Sequence, residues 1–237
     1  MPGPTTRGRP DVQVTRANAN VFVISAPSGA GKTTLNGRLV SKHRDVEISV
    51  SLTTRPIRTG ETNGQDYHFV TREEFRRRVD AGDMLEWAEV FGNLYGTTLS
   101  ELERIGKAGH KAILEIDVQG WQKARRKLRN ATSVFILPPT LETLWKRLES
   151  RGTDSLEVRW RRLVAARDEI AAGRNYDWFI VNNNIDRAFA ELEDIVAFAR
   201  PGLIDGTQGH VLCRKLLDEF DRSEWLRGLR DQFAGSF

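Results

Sequence analysis

The chain of 237 residues lacks several features that define whole classes of protein. Its single cysteine, Cys213, excludes an intramolecular disulfide and favours a reducing compartment, so we expect a cytoplasmic protein. No apolar run approaches the ~20 residues needed to span a bilayer, and we expect no membrane partner. The formal net charge is only +4, acids are interspersed with bases, and no aromatic-basic pattern typical of RNA binding occurs. A nucleic-acid partner is therefore not expected.

Residues 1–19 have no apolar core and are rich in Pro, Thr, Arg and Gly. Such a composition buries too little apolar surface to fold, and it lacks the apolar centre of a secretory signal. This segment is predicted to be a disordered N-terminal tail.

The rest of the chain alternates short apolar runs with helical patterns. Strands are predicted near 21–24, 47–50, 111–116, 133–137 and 177–181, and helices at 34–42, 119–129, 141–150, 156–172 and 186–199. Three of the later runs are continuously apolar, which is typical of strands covered on both faces. This order indicates an α/β fold with a parallel sheet flanked by helices, in which ligands bind at the carboxyl ends of the strands.

A glycine-rich segment, APSGAGKT at 26–33, follows the first strand and precedes the first helix. Strand, glycine-rich turn and helix start are the order that a phosphate-binding loop requires, because backbone N–H groups and the helix N-terminus attract an anion. Lys32 would reach the outer phosphates and the Thr33 hydroxyl would ligate Mg²⁺ directly. The usual pattern opens with Gly where this chain has Ala26, and a merely structural glycine turn is the alternative. The predicted nucleoside triphosphate site comprises Ala26, Pro27, Ser28, Gly29, Ala30, Gly31, Lys32, Thr33 and Thr34.

Two further regions depart from the simple alternation. Residues 51–99 contain five glycines, short alternating stretches and one helical run at 72–81, which predicts an inserted, mostly antiparallel subdomain. Residues 201–237 have apolar residues at helical spacing, which predicts a helical C-terminal extension. We expect its apolar face either to pack onto the chain's own core or to form a contact between copies of the chain. The sequence is therefore compatible with both a monomer and a homo-oligomer.

The inserted region carries a series of short motifs in a fixed order. They are SLTTRPIR at 51–58, GE at 60–61, DYHF at 66–69, LEWA at 85–88 and YGT at 95–97. With the glycine-rich loop, this series resembles guanylate kinase, a family of P-loop nucleoside monophosphate kinases that phosphorylate GMP using ATP. The resemblance covers residues 20–200. It implies a core at 20–50 and 100–200, a mixed α+β GMP-binding insertion at 51–99 and a helical lid near 147–165.

The acceptor-site residues follow from this resemblance and from the chemistry of GMP. Arg55 and Arg58 offer planar guanidinium groups that grip phosphate oxygens in pairs. The family pattern adds hydroxyl donors to the same phosphate from Ser51, Tyr67 and Tyr95. It assigns Glu86 and Asp117 to the N1–H and N2–H donors of guanine and Thr97 to its O6 acceptor. Sites that hydrogen-bond one specific edge can discriminate by ~10⁴ to 10⁵.

The resemblance also implies the residues that assist transfer from ATP. Lys32, Arg147, Arg151 and Arg162 would meet the charge of the transferring group as catalytic residues. Thr33 would ligate Mg²⁺ directly, whereas Glu115 would contact it through water. Asn182 matches a position near the adenine ring. The chain departs from the family where Asn183 and Asn184 replace acids and where Glu115 replaces Asp.

Two other functions are compatible with this fold. One is a non-catalytic guanylate-kinase-like interaction module, which typically lacks the loop lysine and the lid arginines that are present here. The other is a kinase of another phosphorylated acceptor, such as a ribose bisphosphate. The chain retains the acceptor motifs listed above, which favours GMP.

Overall fold

The computed structural model of the chain describes residues 20–90, 92–149, 154–198 and 203–233. The predicted tail at 1–19 and the predicted lid residue Arg151 lie outside these ranges. Within the described ranges, every helix is too short or too polar to cross a bilayer.

The main sheet has six strands. They are β1 (Val21–Ser25), β2 (Val46–Ile48), β7 (Lys111–Leu114), β8 (Thr132–Leu137), β9 (Trp178–Val181) and β10 (Ile204–Asp205), in the spatial order β10-β9-β8-β1-β7-β2. All neighbours are parallel except the antiparallel pair of β10 with β9. Every residue of β1 and β8 is buried, because the sheet is covered on both faces. The fold is therefore the α/β arrangement that the sequence predicts.

Helices cover the two faces in separate apolar clusters. The helices of the core are α1 (Lys32–Lys42), α3 (Leu99–Lys107), α4 (Val118–Ala124), α5 (Leu141–Glu149), α6 (Leu156–Ala172) and α7 (Ile185–Val196). One face of β1, with Phe22 and Ile24, packs against α1 and α7. The other face, with Val21 and Val23, packs against α4, α5 and α6. This layering places the carboxyl ends of β1, β7 and β9 along one edge.

The insertion forms its own small sheet. It contains β3 (Leu52–Thr53), β4 (His68–Phe69), α2 (Arg72–Asp80), β5 (Met84–Val90) and β6 (Asn93–Thr98), with the strand order β4-β3-β6-β5. β6 is antiparallel to both β3 and β5, whereas β3 and β4 are parallel. Phe75 of α2 is fully buried against one face of this sheet, together with Leu52, Met84 and Leu94. The insertion is thus a mixed α+β unit.

The register of β5 shifts between Met84 and Glu86. In a regular strand, residues two apart face the same side of the sheet. Met84 packs in the apolar cluster of the insertion, whereas Glu86 lines a polar cleft. The irregularity is of the kind that re-aims a side chain next to a site.

The C-terminal region forms α8 (Gly206–Arg222) and α9 (Glu224–Gln232). Cys213, Leu216, Phe220 and Leu226 are buried in the cluster that also contains α5 and α6. These helices therefore pack on the core, as one of the two alternatives predicts. The domain boundary at 201 stays a prediction.

The main difference between predicted and observed elements concerns α4. The pattern predicts a helix over 119–129, but the helix ends at Ala124. The carbonyl of Ala124 accepts hydrogen bonds from the N–H groups of both Lys127 and Leu128, so the chain leaves the helix in tight turns. The Lys127 ammonium then lies 2.7 Å from the carbonyl oxygen of Met84. This tertiary contact is invisible to helical periodicity.

Candidate active site

The predicted phosphate-binding loop lies between β1 and α1. Gly29 and Gly31 have φ angles of 89° and 103°, a left-handed conformation that favours glycine. The Ala30 N–H donates to the carbonyl of Pro27 over 3.0 Å and closes a tight turn. Lys32 is the first residue of α1, directly after this turn. Backbone donors, a helix N-terminus and an ammonium group therefore meet at one point, which is an arrangement suited to phosphate.

The loop is supported by the end of β9. Asn182 is buried, and its Nδ2 donates to the carbonyl of Ala30 over 2.8 Å. Arg147 of α5 in turn donates to the carbonyl of Asn182 over 2.7 Å, and burial lowers the pKa of this guanidinium. The structure therefore places Asn182 as a support of the loop. A contact of its side chain with adenine stays a prediction.

A carboxyl group that the sequence did not single out lies beside the same loop. Glu169 of α6 interacts with the backbone N–H of Ser28, and the Lys32 ammonium also favours its charged form. Burial is the larger effect, and the Asp117 carboxylate adds to it, so that the pKa of Glu169 is raised to about 7. The sequence signal was an acid between the buried positions Ala166 and Ile170 of α6.

The two residues predicted to ligate magnesium lie at the start of α1 and just after β7. Thr33 lies exposed in the first turn of α1. The Glu115 carboxylate, just after β7, accepts a hydrogen bond of 2.5 Å from Nδ2 of the buried Asn36 on α1. The Oδ1 atom of Asn36 is buried without a hydrogen-bond partner. Hydroxyl and carboxylate oxygens of this kind suit Mg²⁺.

A cleft between the insertion and the core gathers most of the predicted acceptor residues. Its lining includes Ser51, Tyr67, Glu86, Tyr95, Glu115 and Asp117. Thr97 adjoins it, because its hydroxyl lies 3.1 Å from that of Ser51. Residues from two sheets and from the start of α4 thus converge on one space.

Glu86 and Asp117 are held in place within this cleft. Glu86 accepts a hydrogen bond of 3.1 Å from the Thr97 N–H. Asp117 is the N-cap of α4, and its Oδ1 accepts from the Gly120 N–H over 2.6 Å. Burial raises the pKa of Glu86, and the Asp117 carboxylate adds to this effect, whereas hydrogen bonds from Thr97 oppose it.

Arg55 lies against the aromatic side of the cleft. Its guanidinium forms a two-pronged ion pair with Glu61, at 2.7 and 3.0 Å, and lies 5.6 Å from the ring centroid of Tyr67. The rings of Tyr67 and Tyr95 meet edge to face at 5.9 Å. Arg58 is exposed, and its backbone N–H donates to Glu61 over 2.8 Å. Glu61 therefore orients the arginine segment.

The predicted lid is described only in part. Arg162 of α6 forms an ion pair of 2.9 Å with Asp154. Arg147 donates to the carbonyl of Asn182, and Arg151 lies outside the described residues. The transition-state roles of these arginines stay predictions.

Comparisons with known proteins show which family the chain resembles. The guanylate kinase family model matches residues 18–199. A guanylate kinase of Neisseria gonorrhoeae is 48% identical over 76% of this chain and 88% of its own length. One of Chromobacterium violaceum is 44% identical over 86% of this chain and 94% of its own length. The crystal structure of guanylate kinase from Anaplasma phagocytophilum is similar, with a TM-score of 0.59 and 34% identity over 84% of this chain and 93% of that one.

The chain belongs to the guanylate kinase family. One of its departures from the family pattern is Asn184, where the family often has an acid. Asn184 is the N-cap of α7, and its Oδ1 accepts from the N–H groups of Asp186 and Arg187, both at 3.0 Å. An amide at this position therefore performs the capping role that an acid could also perform.

Sequence reasoning missed three polar residues that support the site in this member of the guanylate kinase family. Glu169 adjoins the phosphate loop, and Lys123 lines the acceptor cleft. Glu219 of α8 accepts from the N–H groups of Leu141 and Glu142 at the start of α5. Their partners are distant in sequence, and only Glu169 left a local signal, an acid between two buried positions of α6.

Proposed function

We propose that this chain transfers the γ-phosphoryl group of ATP to GMP or dGMP, giving ADP and the nucleoside diphosphate. One observation carries the proposal: the phosphate loop with Lys32 and the cleft with Glu86 open at the same edge of the parallel sheet. Membership of the guanylate kinase family supports it. We also propose a cytoplasmic location, since both substrates are soluble nucleotides.

The donor nucleotide would bind over the loop at 26–34. Its backbone N–H groups and the start of α1 would hold the phosphates, and Lys32 would neutralise charge on the outer ones. Thr33 and Glu115 would hold Mg²⁺ together with the phosphates, Glu115 through water. When bound, the ion supplies charge neutralisation.

The acceptor nucleotide would occupy the cleft. Arg55, with Arg58, Ser51, Tyr67 and Tyr95, would bind the GMP phosphate, and Arg55 would exchange its pairing with Glu61 for phosphate oxygens. Glu86 and Asp117 would accept from guanine N–H groups, and Thr97 would donate to O6. Adenine presents no such pair of donors, so its binding would leave buried carboxylates without partners.

Transfer itself requires position and charge more than covalent chemistry. A GMP phosphate oxygen attacks the γ-phosphorus in line, its new P–O bond forms, and the bond to the β-phosphate oxygen breaks with ADP as the leaving group. Lys32, Arg147, Arg151 and Arg162 are the proposed cations for the charge of the transferring group. Arg162 would leave its ion pair with Asp154 as the lid closes.

A coupled assay of ADP release tests the proposal. GMP and dGMP should support turnover, whereas AMP, UMP and a ribose bisphosphate should give rates near the no-acceptor background. A ribose bisphosphate as the best acceptor, or no ADP release with any acceptor, would establish one of the alternative functions.

A matched pair of lysines on α1 tests the division of roles. Lys32→Met should lower kcat by about 10² or more, because a preorganised cation at developing charge is lost. GMP affinity by calorimetry should change little. Lys42→Met, at the other end of α1 where Lys42 pairs with Glu193, should leave both quantities unchanged. Equal losses of rate and GMP affinity in Lys32→Met would contradict this assignment.

A further inference from the structure

The outer edge of β5 is held by two lysines of the core. β5 is the edge strand of the small sheet, so its outward carbonyl groups have no strand partner. Lys123 Nζ donates to the carbonyl of Trp87 over 3.2 Å, and Lys127 Nζ donates to that of Met84 over 2.7 Å. Glu86 lies between these two carbonyl groups. The segment that carries Glu86 is therefore held on both sides, by Lys123 of α4 at Trp87 and by Lys127 of the turns after α4 at Met84.

The two lysines differ in their relation to the cleft. Lys123 lines it together with Glu86, and it is the only Lys or Arg among the described residues of that lining. Lys127 does not line the cleft, but it lines the adjacent groove on the outer side of β5, which Glu86 and Lys123 line as well. The Lys123 ammonium lowers the pKa of Glu86, so Lys123 acts on this carboxyl group by charge as well as by tethering. Lys127 holds the strand at Met84.

The charges around Glu86 come from several elements. Burial and the Asp117 carboxylate raise the pKa of Glu86, whereas Thr97 on β6 and the Lys123 ammonium on α4 lower it. Glu115 after β7, Tyr67 and Tyr95 also line the cleft. Lys123 is thus a cation that opposes the effects of burial and of the Asp117 carboxylate on Glu86.

We propose that Lys123 is a specificity-determining positioning residue, which tethers β5 at Trp87 and places a positive charge in the cleft with Glu86, the acceptor for guanine. This inference rests on the proposed function. An ionised Glu86 can accept from the N–H donors of guanine, but a protonated one can donate to the N1 acceptor of adenine. Loss of the Lys123 charge should therefore weaken GMP recognition at acidic pH. It should also lower the ratio of kcat/KM for GMP to kcat/KM for AMP.

Three variants distinguish the effect of the Lys123 charge from the effect of the hydrogen bonds that tether β5. Lys123→Gln removes the charge and keeps an N–H donor, Lys123→Arg keeps the charge, and Lys127→Gln removes the tether that does not line the cleft. The kcat/KM for GMP is measured from pH 5 to 8.5. At each pH, the value for a variant is divided by the value for the unmodified protein. This ratio cancels the titration of the GMP phosphate.

Lys123→Gln should shift the acidic limb of the kcat/KM profile to higher pH by about 0.5 unit. This shift corresponds to a loss of kcat/KM of about threefold at the acidic end. The GMP-to-AMP ratio at pH 6 should fall by a similar factor. Lys123→Arg and Lys127→Gln should follow the unmodified protein. A Lys123→Gln profile that superimposes on the unmodified one overturns the inference. An equal shift in Lys127→Gln overturns it too, since the tether alone would then explain the effect.

The outcome also distinguishes this inference from the proposed function. If the unmodified protein does not phosphorylate GMP, the proposed function fails and the inference with it. If it phosphorylates GMP normally while Lys123→Gln shows no shift, only the role of Lys123 is overturned.

Discussion

Gly31 shows how a single residue fixes the phosphate loop. Its φ of 103° is unfavourable for any side chain, and an added Cβ would lie 2.3 Å from Nδ2 of Asn182. That same Nδ2 donates to the carbonyl of Ala30. The position therefore requires glycine for two reasons, backbone conformation and the close approach of the supporting amide.

Gly31→Ala should lower the free energy of unfolding by more than the ~1–2 kcal/mol of left-handed strain, because Asn182 must also move. It should weaken ATP binding as well. The control is Gly37→Ala in the middle of α1, where an added Cβ meets nothing within 4 Å. That change should stabilise by about 0.5–1 kcal/mol, since alanine is the better helix former. Denaturant unfolding and ATP calorimetry on both variants measure these effects.

Glu169 gives the loop a titratable neighbour near neutral pH. Its pKa is raised from 4.5 to about 7, so the folded chain retains a proton that the unfolded chain releases at lower pH. The free energy of unfolding should therefore fall as the pH rises through this window, by on the order of 1–3 kcal/mol. Glu169→Gln imitates the protonated form and should remove this decline. Chemical denaturation at pH 5 and pH 8 tests it, and parallel pH dependences in the two proteins would refute it.

At the scale of elements, the first N–H groups of α5 are capped by a side chain of the C-terminal region. Both carboxylate oxygens of Glu219 lie 3.0 Å from the Leu141 N–H, and one accepts from the Glu142 N–H over 3.3 Å. These N–H groups would otherwise lack partners at the helix start, where a negative charge is also favourable. Since α5 carries Arg147, the cap links α8 to the support of the phosphate loop.

Glu219→Ala should lower the free energy of unfolding by about 1–2 kcal/mol, the range of a lost N-terminal cap with its charge. Glu219→Gln should lose less, because it retains one acceptor oxygen. The control is Glu224→Ala on α9, whose side chain is 86% exposed and pairs with Arg227 at 3.5 Å. Thermal melts should rank the three variants in this order of loss: Glu219→Ala, Glu219→Gln, Glu224→Ala.

The elements also show where sequence patterns suffice. The buried strand predicted at 133–137 is observed at Thr132–Leu137, because a continuous apolar run has one stable environment in a covered sheet. The two-residue strands β3 and β4 have no such pattern and depend on pairing within the insertion. The register shift before Glu86 and the lysine tethers on β5 depend on contacts between distant segments. The motifs predicted the residues of the candidate site, but the contacts that orient them required the structure.

At the scale of the whole molecule, the C-terminal helices are part of the core that supports the site. The ring of Phe220 stacks on Trp160 of α6 at 5.8 Å, and Phe233 stacks on the same indole at 6.1 Å. Leu216 and Leu226 are 5% and 0% exposed within the same cluster. The apolar face that could have formed a homo-oligomer contact is therefore largely covered within the chain itself.

Because α8 packs on the core, substitutions of its buried residues should change the stability of the whole protein. Leu216→Ala should lower the free energy of unfolding by about 2–5 kcal/mol, because it leaves a cavity between α8 and the core. Val211→Ala on the same helix, at a side chain that is 50% exposed, should change it by less than about 0.5 kcal/mol. If α8 served mainly a contact between copies, Leu216→Ala would instead change the molar mass in light scattering at constant stability. Its destabilisation at constant molar mass would show that the C-terminal helices stabilise the same fold that positions the phosphate loop and the acceptor cleft.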